Sequence, residues 1–129
     1  KTDSMNPAYL MTSAAIPKSQ RISGIVIDAR EHAVDPSMSP EVIDMQGKLV
    51  YGSISYTRSK AVNRGPVGYA YSMDDRNVGQ RVGTTPLVIE AVGSLDDDVY
   101  ITSMDAEKVR EAEKSFGVLS NCRVMLLLQ

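Results

Sequence analysis

The stretch "VYITSMDAEKVREAEKSFGVLSNCRVMLLLQ", residues 99–129, carries the clearest pattern in the chain. "VYITS" is rich in β-branched and aromatic residues and reads as a strand. In "MDAEKVREAEKSFG", Ala106, Val109, Ala112 and Phe116 recur at three- and four-residue spacing, which puts one narrow apolar stripe on a helix. Ser103 stands where an N-cap is expected, Asp105 and Glu107 suit the positive helix end, and Gly117 suits the left-handed C-terminal cap. "CRVMLLLQ" is a final strand, apolar at consecutive positions, so both of its faces need cover. Strand, long helix and strand at the end of a strand-rich chain point to α+β rather than regularly alternating α/β.

Upstream, "PLVIEAVGSL" (86–95) is a second strong strand, with Pro86 at its start where a missing N–H is tolerated. "MDDRNVGQRVGTT" (73–85) is polar and Gly-punctuated, a loop with one helical turn. "PVGYAYS" (66–72) reads as a strand, and "SYTRSKAVNRG" (55–65) as a short helix closing at Gly65. "VIDMQGKLVYG" (42–52) reads as a hairpin in which Val42–Met45 and Lys48–Tyr51 flank Gln46-Gly47, Gly47 supplying the positive φ of a tight turn. In "EHAVDPSMSP" (31–40), Pro36 and Pro40 fix their own φ and push Asp35 and Ser39 towards extended geometry. "RISGIVIDAR" (21–30) is a buried strand. Residues 1–20 lack steady periodicity and read as a flexible N-terminal arm, with a helical turn at Pro7–Met11, ahead of one domain at 21–129. The expected architecture is α+β: a mixed, largely antiparallel sheet with one long C-terminal helix before the last strand.

Composition narrows the function classes. A chain of 129 residues with 43% hydrophobic and 23% charged residues supports one cored domain. A net charge of −2 offers no basic footprint for nucleic acid, and no Trp with a single Phe leaves little to stack single-stranded bases on. The lone Cys122 rules out an intramolecular disulfide and any multi-cysteine zinc site. No 18-residue apolar run is present, so no transmembrane segment is expected.

The one histidine lies in Asp28-Ala29-Arg30-Glu31-His32, at the end of the 21–30 strand. Ile22, Gly24, Val26 and Asp28 share one strand face and Ile25, Ile27 and Ala29 the other. Asp28 therefore starts on a core-facing side and needs a partner. Arg30 on the same face is one candidate, and backbone N–H groups of the loop before Pro36 are the other. A Ser-His-Asp triad would have to use His32, yet no Gly-x-Ser-x-Gly elbow presents a serine, and Cys122 reads as an inert core thiol. Asp28, Asp44 and Glu90 form an acid–base set only if the fold converges them. Asp74-Asp75 and Asp96-Asp97-Asp98 miss the calcium-loop spacing, and no phosphate-cradling glycine motif occurs. The tyrosines Tyr51, Tyr56, Tyr69, Tyr71 and Tyr100 read as strand-face packing. No catalytic, cofactor-binding or metal-ligating residue is expected. The residues expected to matter, structurally, are Asp28, Arg30, Pro36, Pro40, Gly47 and Gly117.

Together "GIVIDAR", "DPSMSPEV", "IDMQGKLVYG", "VGYA", "RVGTTPLVIEAVG" and "ITSMDAEKVREAE", across roughly residues 22–129, resemble a family of uncharacterised exported proteins of Gram-negative cell envelopes. That family is similar in setting to small outer-membrane and flagellum-associated lipoproteins. The sequence departs from it at Glu31-His32, where the family has Gly and an apolar residue, and at Gln46, where it has Asp. A position that accepts an apolar residue is a poor place for an essential base. The resemblance implies a non-enzymatic extracytoplasmic domain, periplasmic or outer-membrane-associated, with a scaffolding or protein-interaction role and no cofactor. Its partner would be an envelope protein or, in a weak homodimer that covers "VMLLLQ", a second copy. A small-ligand or glycan-binding module is the alternative, and a carboxylate-based hydrolase the third.

Overall fold

A computed structural model describes residues 21–129; the arm expected at 1–20, with its Pro7–Met11 turn, lies outside the described residues. The elements follow as β1 (Ile25–Asp28), β2 (Val42–Asp44), β3 (Leu49–Tyr51), a 3-10 turn (Ser53–Ser55), α1 (Arg58–Arg64), β4 (Gly68–Ala70), α2 (Arg76–Val82), β5 (Leu87–Glu90), β6 (Gly93–Leu95), β7 (Asp98–Ile101), α3 (Ser103–Phe116) and β8 (Val124–Leu127). They build two four-stranded sheets, ordered β4-β8-β1-β5 and β3-β2-β7-β6. The fold is α+β, mixed in strand direction, with the long helix directly before the last strand. Antiparallel pairing is confined to the second sheet, at β2–β3 and β6–β7, while β2–β7 and every pair of the first sheet are parallel. The connections dictate this: the antiparallel pairs are joined by short turns, whereas β1, β4, β5 and β8 are separated by crossovers that contain a helix or a whole hairpin.

The two continuous apolar runs are the two interior strands of the parallel sheet, which is covered on both faces. Ile25, Ile27, Val124 and Leu126 face Ala106, Val109 and Ala112 of α3 and Val42, Val99 and Ile101 of the second sheet. Val26, Met125 and Leu127 face the other way, against Val78 and Val82 of α2. The cover that "VMLLLQ" requires thus comes from within the chain, and every residue of β8 is buried.

The covering helix α2 arises from the segment expected to be a loop with one helical turn, and it runs to seven residues. Asp75 caps it, its side chain accepting the Asn77 N–H at 2.8 Å. Only Val78 and Val82 are buried, four residues apart, so there is too little periodicity to announce the helix and Gly79 obscures it further. It lies very close to β1: a Cβ built on Gly24 would come within 2.6 Å of the Val82 Cα and Cβ. Ser23 ties the same corner, its hydroxyl donating to the Val82 carbonyl (2.6 Å) and accepting the Thr85 N–H (2.9 Å).

Two further expectations are corrected. "PLVIEAVGSL" is two strands, because the Ala91 N–H bonds the Asp28 carbonyl in the first sheet while the next N–H, of Val92, bonds Tyr100 in the second. The N-cap of α3 is Thr102, whose hydroxyl accepts the Asp105 N–H at 3.0 Å; Ser103 is the first helical residue, since the chain turns helical one position earlier than expected. The far end agrees with the sequence. Gly117 is left-handed (φ 66°, ψ 31°), and its N–H bonds the Glu113 carbonyl. The Glu113 carboxylate accepts the Leu119 and Ser120 N–H groups beyond it.

Candidate functional site

Open parallel sheets bind ligands beyond the carboxyl ends of their strands, and the Asp28–His32 cluster lies there. The fold brings Asp28 beside Glu90, its register partner on β5. Both expected partners of Asp28 are realised. Arg30 forks onto the carboxylate (Nε to Oδ1 2.9 Å, Nη2 to Oδ2 2.8 Å), and the Arg30 backbone N–H donates to Oδ1 at 3.1 Å. The guanidinium hydrogen bonds hold the Asp28 carboxyl below its usual range, so it stays ionised and is held by three donated hydrogen bonds. The His32 Nε2 sits 3.1 Å from the Ala91 carbonyl, which ties the loop to β5. The cleft between Asp28, Glu31, Glu90 and Ala91 is only about 40 Å³, room for a few waters. This corner is a locked strand end.

Asp44, the third carboxylate of that set, lies in the other sheet and is 2% exposed, the buried charged residue among those described. Its Oδ1 accepts the Gln46 and Lys48 N–H groups, each at 2.9 Å, closing the hairpin turn in which Gly47 takes φ +83°. Its Oδ2 accepts from Arg110 Nη2 at 3.1 Å, and Arg110 also reaches Glu107. The Lys48 N–H first, then Arg110, hold its carboxyl below the usual range against the opposing effect of burial. Asp44 thus pins the hairpin to α3. The turn-closing Asx pattern was legible in "VIDMQGK"; the ion pair, across 66 residues, was not.

The remaining candidates are also engaged structurally. Cys122 is buried in a tight turn (φ 58°), and its carbonyl accepts from Arg81. Asp75 caps α2, and the Asp98 carboxylate accepts the Glu41 N–H at 3.3 Å. Among the described residues, no three His, Cys, Asp or Glu side chains gather as a metal site requires.

A wider concavity lies elsewhere, among residues whose pattern along the chain does not announce it. The loop of Pro36 and Pro40 is anchored through Tyr69, whose hydroxyl accepts the Ser37 N–H (3.0 Å) and donates to the Ser37 carbonyl (2.8 Å). Pro40 is buried there and Pro36 exposed. Between this loop, the 3-10 turn and α1 opens a groove of about 600 Å³, lined by Met38, Ser39, Ser53, Tyr56, Val62 and Pro66. Tyr51 supports it from beneath, packed on Tyr56 (centroids 5.6 Å apart) and donating to the Pro66 carbonyl at 2.5 Å. Burial raises the Tyr51 hydroxyl's pKa far above the ordinary range, so it remains a donor. The three most exposed large apolar side chains described, Met38 (88%), Ile54 (85%) and Val62 (74%), all border this groove or belong to the turn that forms it. Scattered exposed apolar residues need no explanation, but a cluster does. Residues 45–73 also carry Lys48, Arg58, Lys60 and Arg64 and no carboxylate, leaving −6 on the rest of a chain whose net charge is −2.

A second cavity, of about 340 Å³, is bordered by Tyr69, Asn77, Gln80 and Arg81. Arg81 donates from it to the Gly65 and Cys122 carbonyls.

Residues 24–129 match the family described as Treponema pallidum Tp0624, second domain. No curated protein matches the chain. Among the described residues, no helix is long and apolar enough to cross a membrane.

Proposed function

The chain belongs to the Treponema pallidum Tp0624 second-domain family, and from that premise we propose that it is a non-enzymatic protein-interaction domain of the cell envelope. Its groove receives a segment of another envelope protein that carries apolar side chains flanked by carboxylates. One observation carries this reading: the most exposed apolar side chains gather around one concave site, and two of the three, Ile54 and Val62, lie in the stretch 45–73 that carries four cations and no carboxylate. Apolar anchors supply affinity in such grooves, and charge complementarity supplies orientation and encounter rate. The extracytoplasmic setting rests on the resemblance of the motifs between residues 22 and 129. The groove is concave and rimmed by Ser39 and Ser53, which favours a peptide over a lipid surface.

The hydrolase alternative draws no support from the carboxylates, since Asp28 is committed to Arg30 and Asp44 lies in the other sheet. The small-ligand alternative has one observation in its favour, the cavity bordered by Tyr69, Asn77 and Gln80. Titration with a panel of envelope saccharides, read by melting temperature, tests that alternative directly.

The groove is tested by fluorescence anisotropy with a labelled amphipathic peptide that bears Leu anchors and Glu flanks. The expected result is saturable binding, weakened at least tenfold when the flanks become Lys and abolished by Val62→Asp. Equal binding of both peptides, an unaffected Val62→Asp variant, or tighter binding to phosphatidylglycerol vesicles would contradict the reading.

A further inference from the structure

The first sheet ends on one side at β5, and among the described residues no strand pairs with its outer border. The Leu87 N–H bonds the Gly24 carbonyl (2.9 Å), and the Ala91 N–H bonds the Asp28 carbonyl (3.0 Å). Odd-numbered residues of β5 therefore face β1, and Val88 and Glu90 turn their backbone N–H and C=O groups outward. No described residue pairs with them, and Val88 is itself 50% exposed. Side chains reach the other borders, whereas at β5 the His32 ring reaches only the Ala91 carbonyl, just past the strand. Arg110 reaches the Leu49 carbonyl on β3, Tyr69 of β4 holds Ser37, and the Ser94 hydroxyl of β6 donates to the Ala33 carbonyl. An unpaired strand border is a template for strand addition, and Glu90 is the one charge on this one.

We propose that this border pairs with its own copy: two β5 strands run antiparallel about a two-fold axis at Ile89, with Val88 opposite Glu90 of the second copy. The register follows from the chain itself. It sets each outward N–H of Val88 and Glu90 against an outward carbonyl of the other copy, so that both symmetric pairs exchange two hydrogen bonds. It also avoids facing Glu90 with Glu90, which a shift of one residue towards the C-terminus would do, and like charges directly opposite are destabilising. Side chains at opposed positions share a sheet face, so the Val88 methyl groups cover the Glu90 stem. Only four residues per copy take part, so the association is weak. It is independent of the groove, because Pro66 precedes β4 at the opposite border of the sheet. A pair joined through β5 therefore presents its two grooves at its outer ends, as suits a scaffold.

Sedimentation equilibrium of the 129-residue chain, from micromolar to millimolar, tests the pairing. The wild type should show reversible dimerisation. Val88→Lys sets a cation opposite Glu90 twice per dimer and should tighten it by about two- to thirtyfold; Val88→Glu should weaken it by a similar factor. Val88→Pro removes only the outward N–H, so it should abolish the dimer while the far-ultraviolet spectrum stays native. A wild type that remains monomeric at millimolar concentration would overturn the proposal. So would charge variants that shift the dimer in the same direction or leave it unchanged.

Discussion

Replacing Gly24 by alanine adds one methyl group at the tightest approach in the fold. That carbon would lie 2.6 Å from the Val82 Cα and Cβ and 2.7 Å from the Val82 carbonyl oxygen. These atoms belong to the backbone and branch point of a fully buried residue, so no side-chain rotation relieves the clash. Either α2 lifts or β1 is displaced between its two neighbours. Lifting α2 uncovers Val26, Met125 and Leu127, which cluster with Val78 and Val82 of that helix. Overpacking of a core costs about 1–3 kcal/mol, and the rigid partner puts Gly24→Ala at the upper end, about 3 kcal/mol. For a chain of 129 residues, that lowers the melting temperature by about 10–15 °C. Gly79→Ala is the internal control. It makes the same change within α2, where the new carbon would meet nothing within 4 Å, and should stabilise by about 0.5–1 kcal/mol through helix propensity. Urea unfolding followed by circular dichroism, with midpoints compared at unchanged m-value, measures both. A Gly24→Ala midpoint within 0.5 kcal/mol of wild type, or two alanine variants of the same sign, would refute the packing of α2 on β1.

Three further outcomes are expected. The Asp44 carboxyl is held below its ordinary value of 3.8 in the fold, so its contribution to stability is present above that pH and lost as pH falls through the folded value. The melting temperature of the wild type should therefore drop on acidification below about pH 4, and Asp44→Asn should flatten that drop; an identical pH profile would show that Asp44 is not the group responsible. Asp28→Ala strips the Arg30 fork and one backbone hydrogen bond at a partly exposed corner and should cost about 0.5–1.5 kcal/mol, whereas loss of peptide binding with an unchanged melting temperature would give Asp28 a functional role instead. Tyr51→Phe leaves the Pro66 carbonyl without its donor and should destabilise by about 1–2 kcal/mol in thermal melts; a variant as stable as wild type would mean that water replaces the hydroxyl.

What the sequence made legible was local. The β2–β3 hairpin, α3 with its Gly117 cap, the short helix ending at Gly65 and the Asp28–Arg30 pair each depend on residues a few positions apart, where capping, turn chemistry and periodicity operate. What escaped notice depends on distance. Helix α2 carries two buried residues and owes its place to a glycine 58 positions from Val82. The division of "PLVIEAVGSL" is decided by which sheet each N–H finds, Asp28 for Ala91 and Tyr100 for Val92. Met38, Ser39, Ser53, Tyr56, Ala61, Val62 and Pro66 form the groove because Tyr69 and Tyr51 anchor its walls. Exposed Met38, Ile54 and Val62 look incidental when read singly along the chain. Their meaning lies in their being neighbours.

The central claim is that this groove holds a partner protein. It is tested most directly by placing a photo-crosslinking amino acid at Val62, and separately at Gly79 on α2, in the protein expressed in its own cells. The account predicts a discrete protein adduct from position 62 that disappears when Met38→Asp is added and is absent from position 79. Equal adducts from both positions, an adduct indifferent to Met38→Asp, or crosslinking to lipid alone would contradict it.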